Sequence, residues 1–203
     1  MQKHALDPAE VWAQPGHDRF PAYRSAPDPA AVAEAADLLV AARSPVLICG
    51  GGVVIAGASA ALDTLATLLN APVCTSVSGQ GSLADNHPLN VGVVGTNGGV
   101  DATRAAQPPA VLVLFIGARA GSTTTEHWQM PSRQVTIVHL DVDAMTIGTN
   151  YRTDVALVGD ALLGLQALHA AVQARITTRP ADAADGAALA ATARAAKQAF
   201  FAP

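Results

Sequence analysis

Pro45-Val46-Leu47-Ile48-Cys49-Gly50-Gly51-Gly52 is the stretch that decides the fold. Val46 to Cys49 form a short, unbroken apolar run, which reads as a strand buried on both faces of a parallel sheet. The three glycines after it permit a tight turn and let backbone amides approach a phosphate or a ribose. The dinucleotide fingerprint G-x-G-x-x-G is not met, because Ile55 stands where the third glycine belongs. A simple tight turn and a nucleotide loop therefore both remain open for the triplet. Ser44 to Leu62 contains no charge over 19 residues, a length that suits a membrane span. Pro45, the glycine triplet and Gly57 divide it instead into a strand, a turn and the start of a helix.

Working outward, Asp28-Pro29 supplies an N-cap followed by proline at the first helical position. Val32, Ala35, Ala36, Leu39 and Val40 recur at three- and four-residue spacing and give this helix one apolar face, until Arg43-Ser44-Pro45 ends it. Downstream, Ala58 to Leu69 reads as a second helix with Leu62, Leu65, Leu68 and Leu69 inward. Pro72 to Thr75 is the next strand. Ser76 to Gly99 is glycine-rich and polar, with room for a short helical turn, and Val100 to Ala106 reads as helix. Val111 to Ile116 is the clearest strand, Gln134 to Leu140 another, and Val155 to Val158 the last. A helix runs from Asp160 to about Ala174. Strands alternating with helices, with no hairpin turn between them, predict an α/β fold with a doubly wound parallel sheet. The expected organisation is an extended N-terminal arm over residues 1–27, a folded domain over 28–175, and an alanine-rich C-terminal linker over 176–203.

Composition narrows the function. The 203 residues include 28 charged ones (14%) and 44 alanines, with a net charge of −4. No run of Lys or Arg occurs, so neither a basic nucleic-acid footprint nor a cationic membrane-surface helix is expected. Cys49 and Cys74 lie inside apolar strand runs and read as buried free thiols. Met1-Gln2-Lys3-His4 leads into prolines and not into the apolar stretch of a signal peptide, and a cytoplasmic setting is expected. Trp12, Phe20, Tyr23, Phe200 and Phe201 are five of the eight aromatics and lie near the two ends; aromatics are costly to leave in water, so these ends are expected to dock on something. The chain has three glutamates, Glu10, Glu34 and Glu126. It contains no C-x-x-C, H-E-x-x-H or G-x-S-x-G, so zinc and hydrolase chemistry have no support. His139 falls within a strand pattern and reads as a satisfied core or edge histidine. The residues argue for a binding domain.

In an open α/β sheet ligands bind beyond the carboxyl ends of the strands, so the loop leaving each strand is where binding residues are sought. After the first strand come Gly50, Gly51 and Gly52. After the second come Ser76-Val77-Ser78-Gly79-Gln80-Gly81 and, later, Gly95-Thr96-Asn97-Gly98-Gly99, which supply backbone donors and small polar groups. Gly117-Ala118-Arg119-Ala120-Gly121-Ser122 leaves the third, with Arg119 a partner for an anionic group. Asp141-Val142-Asp143 leaves the fourth, where a carboxylate can accept ribose hydroxyls or cap a helix. Asp160 after the fifth has the same two readings.

Taken in order, these loops resemble a family. Pro45 to Gly52, Ala71-Pro72-Val73, Gly79-Gln80-Gly81 and Asp85-Asn86-His87-Pro88-Leu89 come first. Gly92-Val93-Val94-Gly95, Ile116-Gly117-Ala118-Arg119, His139 to Asp143 and Ile147-Gly148-x-Asn150-Tyr151 complete the series. Together, over about Asp28 to Val172, they resemble the central domain of thiamine-diphosphate-dependent enzymes of the acetolactate synthase type. The resemblance implies a Rossmann-like sheet of about six strands with helices on both faces. It also implies neighbouring pyrimidine- and diphosphate-binding domains on the same polypeptide. The first carries the glutamate that activates thiamine diphosphate, and the other holds the diphosphate and Mg2+ through a G-D-G…N motif. Here Gly159-Asp160-Ala161 is not G-D-G, so the chain is expected to be a middle piece of a lyase or carboligase of the 2-oxo acid class. It would be structural and not catalytic alone, within a homo-oligomer.

Some members of the family bind FAD or ADP in this domain and others bind nothing. The contacts would map onto Gly50, Gly51, Gly52, Ser76, Val77, Gly95, Thr96, Asn97, Gly117, Ala118, Arg119, Asp141 and Asp160. FAD-binding members continue from the arginine as R-F-D-D-R, whereas this chain reads Arg119-Ala120-Gly121-Ser122-Thr123, which suits an empty or ADP-sized site equally. The alternatives are a free-standing nucleotide-binding subunit of a larger complex and an independent dinucleotide-dependent oxidoreductase.

Overall fold

The computed structural model describes residues 7–10, 12, 14–99, 112–177, 180, 182–200 and 202. The helix expected over Val100–Ala106, together with Val111 and Phe201, lies outside those residues. Helix α1 spans Pro29–Ala41, and its amides at Ala30 and Ala31 donate to the Asp28 carboxylate at 2.7 and 3.2 Å. Its face of Val32, Ala35, Ala36 and Leu39 is buried as the spacing predicts. Strand β1 (Pro45–Cys49) is buried at every position. Helix α2 (Gly51–Ile55) begins inside the glycine triplet, where the residues alone suggest only a turn. Helix α3 (Ser59–Leu69) buries Leu62, Leu65 and Leu69 and ends on Asn70 in the left-handed region, at φ 45°.

Strands β2 (Val73–Thr75), β3 (Asn90–Val93), β4 (Leu112–Ile116), β5 (Thr136–Asp141) and β6 (Val155–Val158) come next. Helix α4 (Ala161–Gln173) returns along the sheet after β6. The C-terminal stretch carries helix α5 (Gly186–Phe200), which packs against β3.

The sheet has six strands in the order β3-β2-β1-β4-β5-β6, and every neighbouring pair is parallel. This is the expected doubly wound α/β architecture. Strand β3 corrects the reading of Ser76–Gly99 as strandless. Its run Asn90-Val91-Gly92-Val93 contains a glycine at φ 107°, its register shifts against β2, and it sits at an edge. Glycine and half-exposure remove the apolar signal that marks the central strands.

Alternate residues of each strand serve opposite layers. Leu47 and Cys49 of β1, with Leu114, Ile116, Leu140 and Leu157, pack beneath α1, α3 and α4. Val46 and Ile48, with Val113, Phe115 and Ile137, face a second layer made by Met130, Tyr151 and α5 residues Ala190 and Ala193. Cys49 and Cys74 therefore point into different layers and stay buried thiols outside any disulfide, as expected. Burial pushes both thiols up, Cys74 to about 12, so neither is a thiolate near neutrality. Among the described residues no helix is long and apolar enough to cross a membrane.

The order of strands reverses between β1 and β4, so the loops after them leave in opposite directions from adjacent positions. The two loops touch. The Gly50 amide donates to Ile116 O at 2.8 Å and the Gly52 amide to Gly117 O at 3.1 Å. A Cβ on Gly50 would lie 2.1 Å from Gly117 O, and one on Gly52 would lie 2.6 Å from Gly117 Cα. Backbone meets backbone, and no side chain can yield. Helix propensity alone favours Gly52→Ala by about 1 kcal/mol. The contact with Gly117 predicts the opposite sign, a loss of about 1–3 kcal/mol in thermal or denaturant unfolding. Gly121→Ala, where nothing lies within 4 Å of the added Cβ, should stay within about 0.5 kcal/mol of the parent.

Candidate functional site

A cleft of about 600 Å³ opens beyond the carboxyl ends of β1 and β4, at the reversal point, a size typical of small-molecule sites. One side is Gly50, Gly51, Gly52 and Ile55; another is Ser76 and Ser78; the far wall runs from Gly117 to Arg119 and from Gly121 to Thr124, with Asn150 at the rim. Ser76 Oγ accepts from the Gly79 amide at 3.1 Å and lies 3.2 Å from Ser78 Oγ, which fixes the turn Val77–Gly79 after β2. Arg119 is exposed and, among the described residues, has no carboxylate partner. The main charge in the cleft is thus a free guanidinium among glycine and hydroxyl groups. That combination suits an anion such as a phosphate.

The far wall is braced from behind. Gly95 lies so close that a Cβ there would stand 2.0 Å from Thr123 O, and the Thr96 amide donates to the same oxygen at 2.8 Å. The buried Thr125 hydroxyl donates to Gly121 O at 3.0 Å and accepts from the Trp128 amide at 3.2 Å. Glu126, His127 and Trp128 come next with φ of 50°, 56° and 60°, a left-handed turn that residues with a Cβ adopt only under constraint. His139 Nε2 donates to Ala118 O at 2.8 Å, the satisfied core histidine expected from its strand position. Burial holds its pKa below the ordinary 6.5, opposed by the Ala118 hydrogen bond and by Asp141. Tyr151 OH donates to Met130 O at 2.8 Å, and burial pushes this phenol up.

Of the residues singled out from the sequence, Gly50, Gly51, Gly52, Ser76, Gly117, Ala118 and Arg119 meet in the cleft. Val77 lies exposed on the turn beside it. Gly95 and Thr96 stand behind the wall, and Asn97 comes after them outside the lining. Asp141 ends β5 and accepts from the Asp143 amide at 3.0 Å. Asp160 lies apart and is buried. Its Oδ1 caps α4 by accepting from Leu162 and Leu163 at 3.0 and 3.2 Å, and both oxygens receive Arg24 Nη1 at 2.8 Å. The Asp160 amide donates to Ser25 O at 2.8 Å, so the arm is strapped across the end of β6.

Ile55, Ser78, Gly121 to Thr124 and Asn150 line the cleft without having been singled out. Asn150 had a signal, since it belongs to the Ile147-Gly148-x-Asn150-Tyr151 motif. The polar run Gly121 to Thr124 had none. A smaller cavity of about 220 Å³ lies between β3 and α5. There Arg194 Nη1 bridges the carbonyls of His87, Pro88 and Asn90 at 3.2, 2.9 and 3.1 Å, tying α5 to the sheet edge. Among the described residues no group of three or more His, Cys, Asp or Glu could hold a metal ion.

Residues 32–168 match the family described as "Thiamine pyrophosphate enzyme, central domain". The chain belongs to this family. It is 38% identical over 138 residues to the "Probable acetolactate synthase large subunit" of Methanococcus aeolicus, covering 68% of this chain and 23% of that protein. It is 34% identical over 162 residues to the acetolactate synthase of Mycobacterium bovis, covering 79% of this chain and 26% of that one. Among solved structures it resembles a protein isolated from Mycobacterium smegmatis and assigned to the thiamin diphosphate-dependent enzymes. There the TM-score is 0.66 at 25% identity, over 89% of this chain and 32% of that one. The chain thus spans about a quarter of the length of the curated relatives.

The buried groups set two expected outcomes. Asp160→Ala removes the α4 cap and strands Arg24, and should cost about 2–4 kcal/mol. Asp160→Asn keeps a capping oxygen and should cost about half of that; equal losses in denaturant melts would contradict the division. His139 is harder to protonate folded than unfolded. Its contribution is therefore present above pH 6.5 and is lost as pH falls below it. Denaturant midpoints at pH 7.5 and 5.5 should fall further for the parent than for His139→Gln.

Proposed function

We propose that the chain is the central domain of an acetolactate synthase-like, thiamine-diphosphate-dependent lyase or carboligase acting on 2-oxo acids. Its switch-point cleft would take the ADP portion of a nucleotide, either ADP itself or FAD. The observation that carries the nucleotide reading is Arg119, without a carboxylate partner among the described residues, beside a glycine-walled cleft at the strand-order reversal. Gly50, Gly51, Gly52, Gly117 and Ala118 let a diphosphate approach the backbone, and Arg119 meets its charge. Ser76 and Ser78 offer hydroxyls to the same ligand. Gly95 and Thr96 brace the far wall through Thr123, while Val77, Asn97, Asp141 and Asp160 lie outside the lining. Bound ADP supplies no redox chemistry and would serve as a structural ligand that ties the loops after β1, β2 and β4 together; FAD would add a flavin beyond the same diphosphate.

Thiamine diphosphate and Mg2+ do not suit this cleft, whose lining carries no carboxylate among the described residues. We assign them to flanking pyrimidine- and diphosphate-binding domains of a longer, homo-oligomeric, cytoplasmic enzyme. Support comes from relatives about four times as long as the matched segment. The family match over 32–168 supports a central domain near 28–175, with the segments 1–27 and 176–203 as its links. Calorimetric titration of the 203-residue chain tests the reading. ADP and FAD should release heat, and Arg119→Ala should weaken ADP by about tenfold or more. Silence from both ADP and FAD would overturn the nucleotide assignment. Binding of thiamine diphosphate with Mg2+ to this chain would overturn the assignment of that cofactor to other domains.

A further inference from the structure

We infer that Asn150 and His139 are positioning residues that aim Arg119 at a nucleotide diphosphate, an inference that rests on the nucleotide reading above. The loop after β4 begins and ends in left-handed backbone, at φ 54° for Gly117 and 46° for Ala120. Such a loop has no regular ladder to hold it. Its carbonyls are instead held one by one from three different elements. Gly117 O accepts the Gly52 amide of α2 at 3.1 Å, Ala118 O accepts His139 Nε2 of β5 at 2.8 Å, and Arg119 O accepts Asn150 Nδ2 at 3.2 Å.

The peptide unit is planar and trans, so its C=O and the next residue's N–H point in opposite directions. Holding Ala118 O against His139, which is buried in the second layer beside Phe115, therefore turns the Arg119 amide away from the core. Among the described residues the Arg119 amide donates to no protein acceptor. Holding Arg119 O against Asn150, at the cleft rim, fixes the other end of the same residue. The amide of Arg119 and the root of its guanidinium are thus oriented from both sides. Asn150 reaches this place because Tyr151, the next residue, is anchored through Met130 O at 2.8 Å.

The test compares ADP with adenosine on the 203-residue chain, because Arg119 acts on the diphosphate and not on the nucleoside. Asn150→Ala should weaken ADP by about three- to tenfold and leave adenosine unchanged. In an Arg119→Ala background the same substitution should do little, because the group it positions is gone. His139→Gln, which keeps a donor, should retain more ADP affinity than His139→Leu. If His139→Leu does not fold, the Asn150 comparison stands alone at an exposed position. Equal losses for ADP and adenosine, or an undiminished Asn150 effect without Arg119, would overturn the inference. A parent chain that binds no ADP would bring down the nucleotide reading first, and the inference with it.

Discussion

The close approach of the loop after β1 to the loop after β4 is the constraint on which the rest depends. Strand order reverses between these two strands, so the chain must leave the sheet twice from adjacent positions. Side chains there would hold the loops apart. Gly50, Gly52 and Gly117 let the backbones meet, with two interloop hydrogen bonds at 2.8 and 3.1 Å. Gly79 extends the same contact to the loop after β2, since a Cβ there would lie 2.2 Å from Cys49 O. Three strand ends are thereby closed into one floor, and the cleft is the space above it. The triplet is thus a packing device for Gly50 and Gly52, whose amides are already used within the protein. A ligand in the cleft would meet glycine surface and the Arg119 side.

The central sheet was legible because its strands are buried on both sides. Val46 to Cys49 and Leu112 to Ile116 have no polar position to accommodate, so each is an unbroken apolar run. The faces of α1 and α3 were legible for the complementary reason, since each helix has one side in the core. Strand β3 was hidden by Gly92 and by its place at the edge. Helix α2 was hidden because two glycines at its start oppose helix formation, and only the contact with Gly117 favours that geometry. The candidate site was legible where it rests on strand ends. Thr125 and the left-handed turn after it were not, because their conformation is set by contacts with Gly121 and Trp128 that no spacing records. Asp160 had both a capping and a ligand reading. The Leu162 and Leu163 amides and Arg24 occupy it as a cap and a strap.

Membership of the thiamine pyrophosphate enzyme central-domain family gives these features a common sense. On the reading proposed above, the domain is a scaffold, which needs a rigid sheet, a defined place for neighbouring segments and little acid–base chemistry of its own. The charge-poor composition, the buried His139 and the buried thiols fit such a part. Trp12, Phe20, Tyr23 and Phe200 remain exposed, in keeping with surfaces that would be covered in a longer enzyme, as we propose. Arg24 and the Ser25 carbonyl both hold the arm to Asp160.

The glycine closure between β1 and β4, we propose, creates a diphosphate site served by Arg119. The most direct measurement is a crystal structure of the 203-residue chain with ADP. The account predicts the diphosphate over Gly50 to Gly52, with the Arg119 guanidinium against its oxygens and Asn150 still bonded to Arg119 O. A nucleotide seated elsewhere, such as between β3 and α5 beside Arg194, would contradict it, and so would a diphosphate in the cleft with Arg119 turned away.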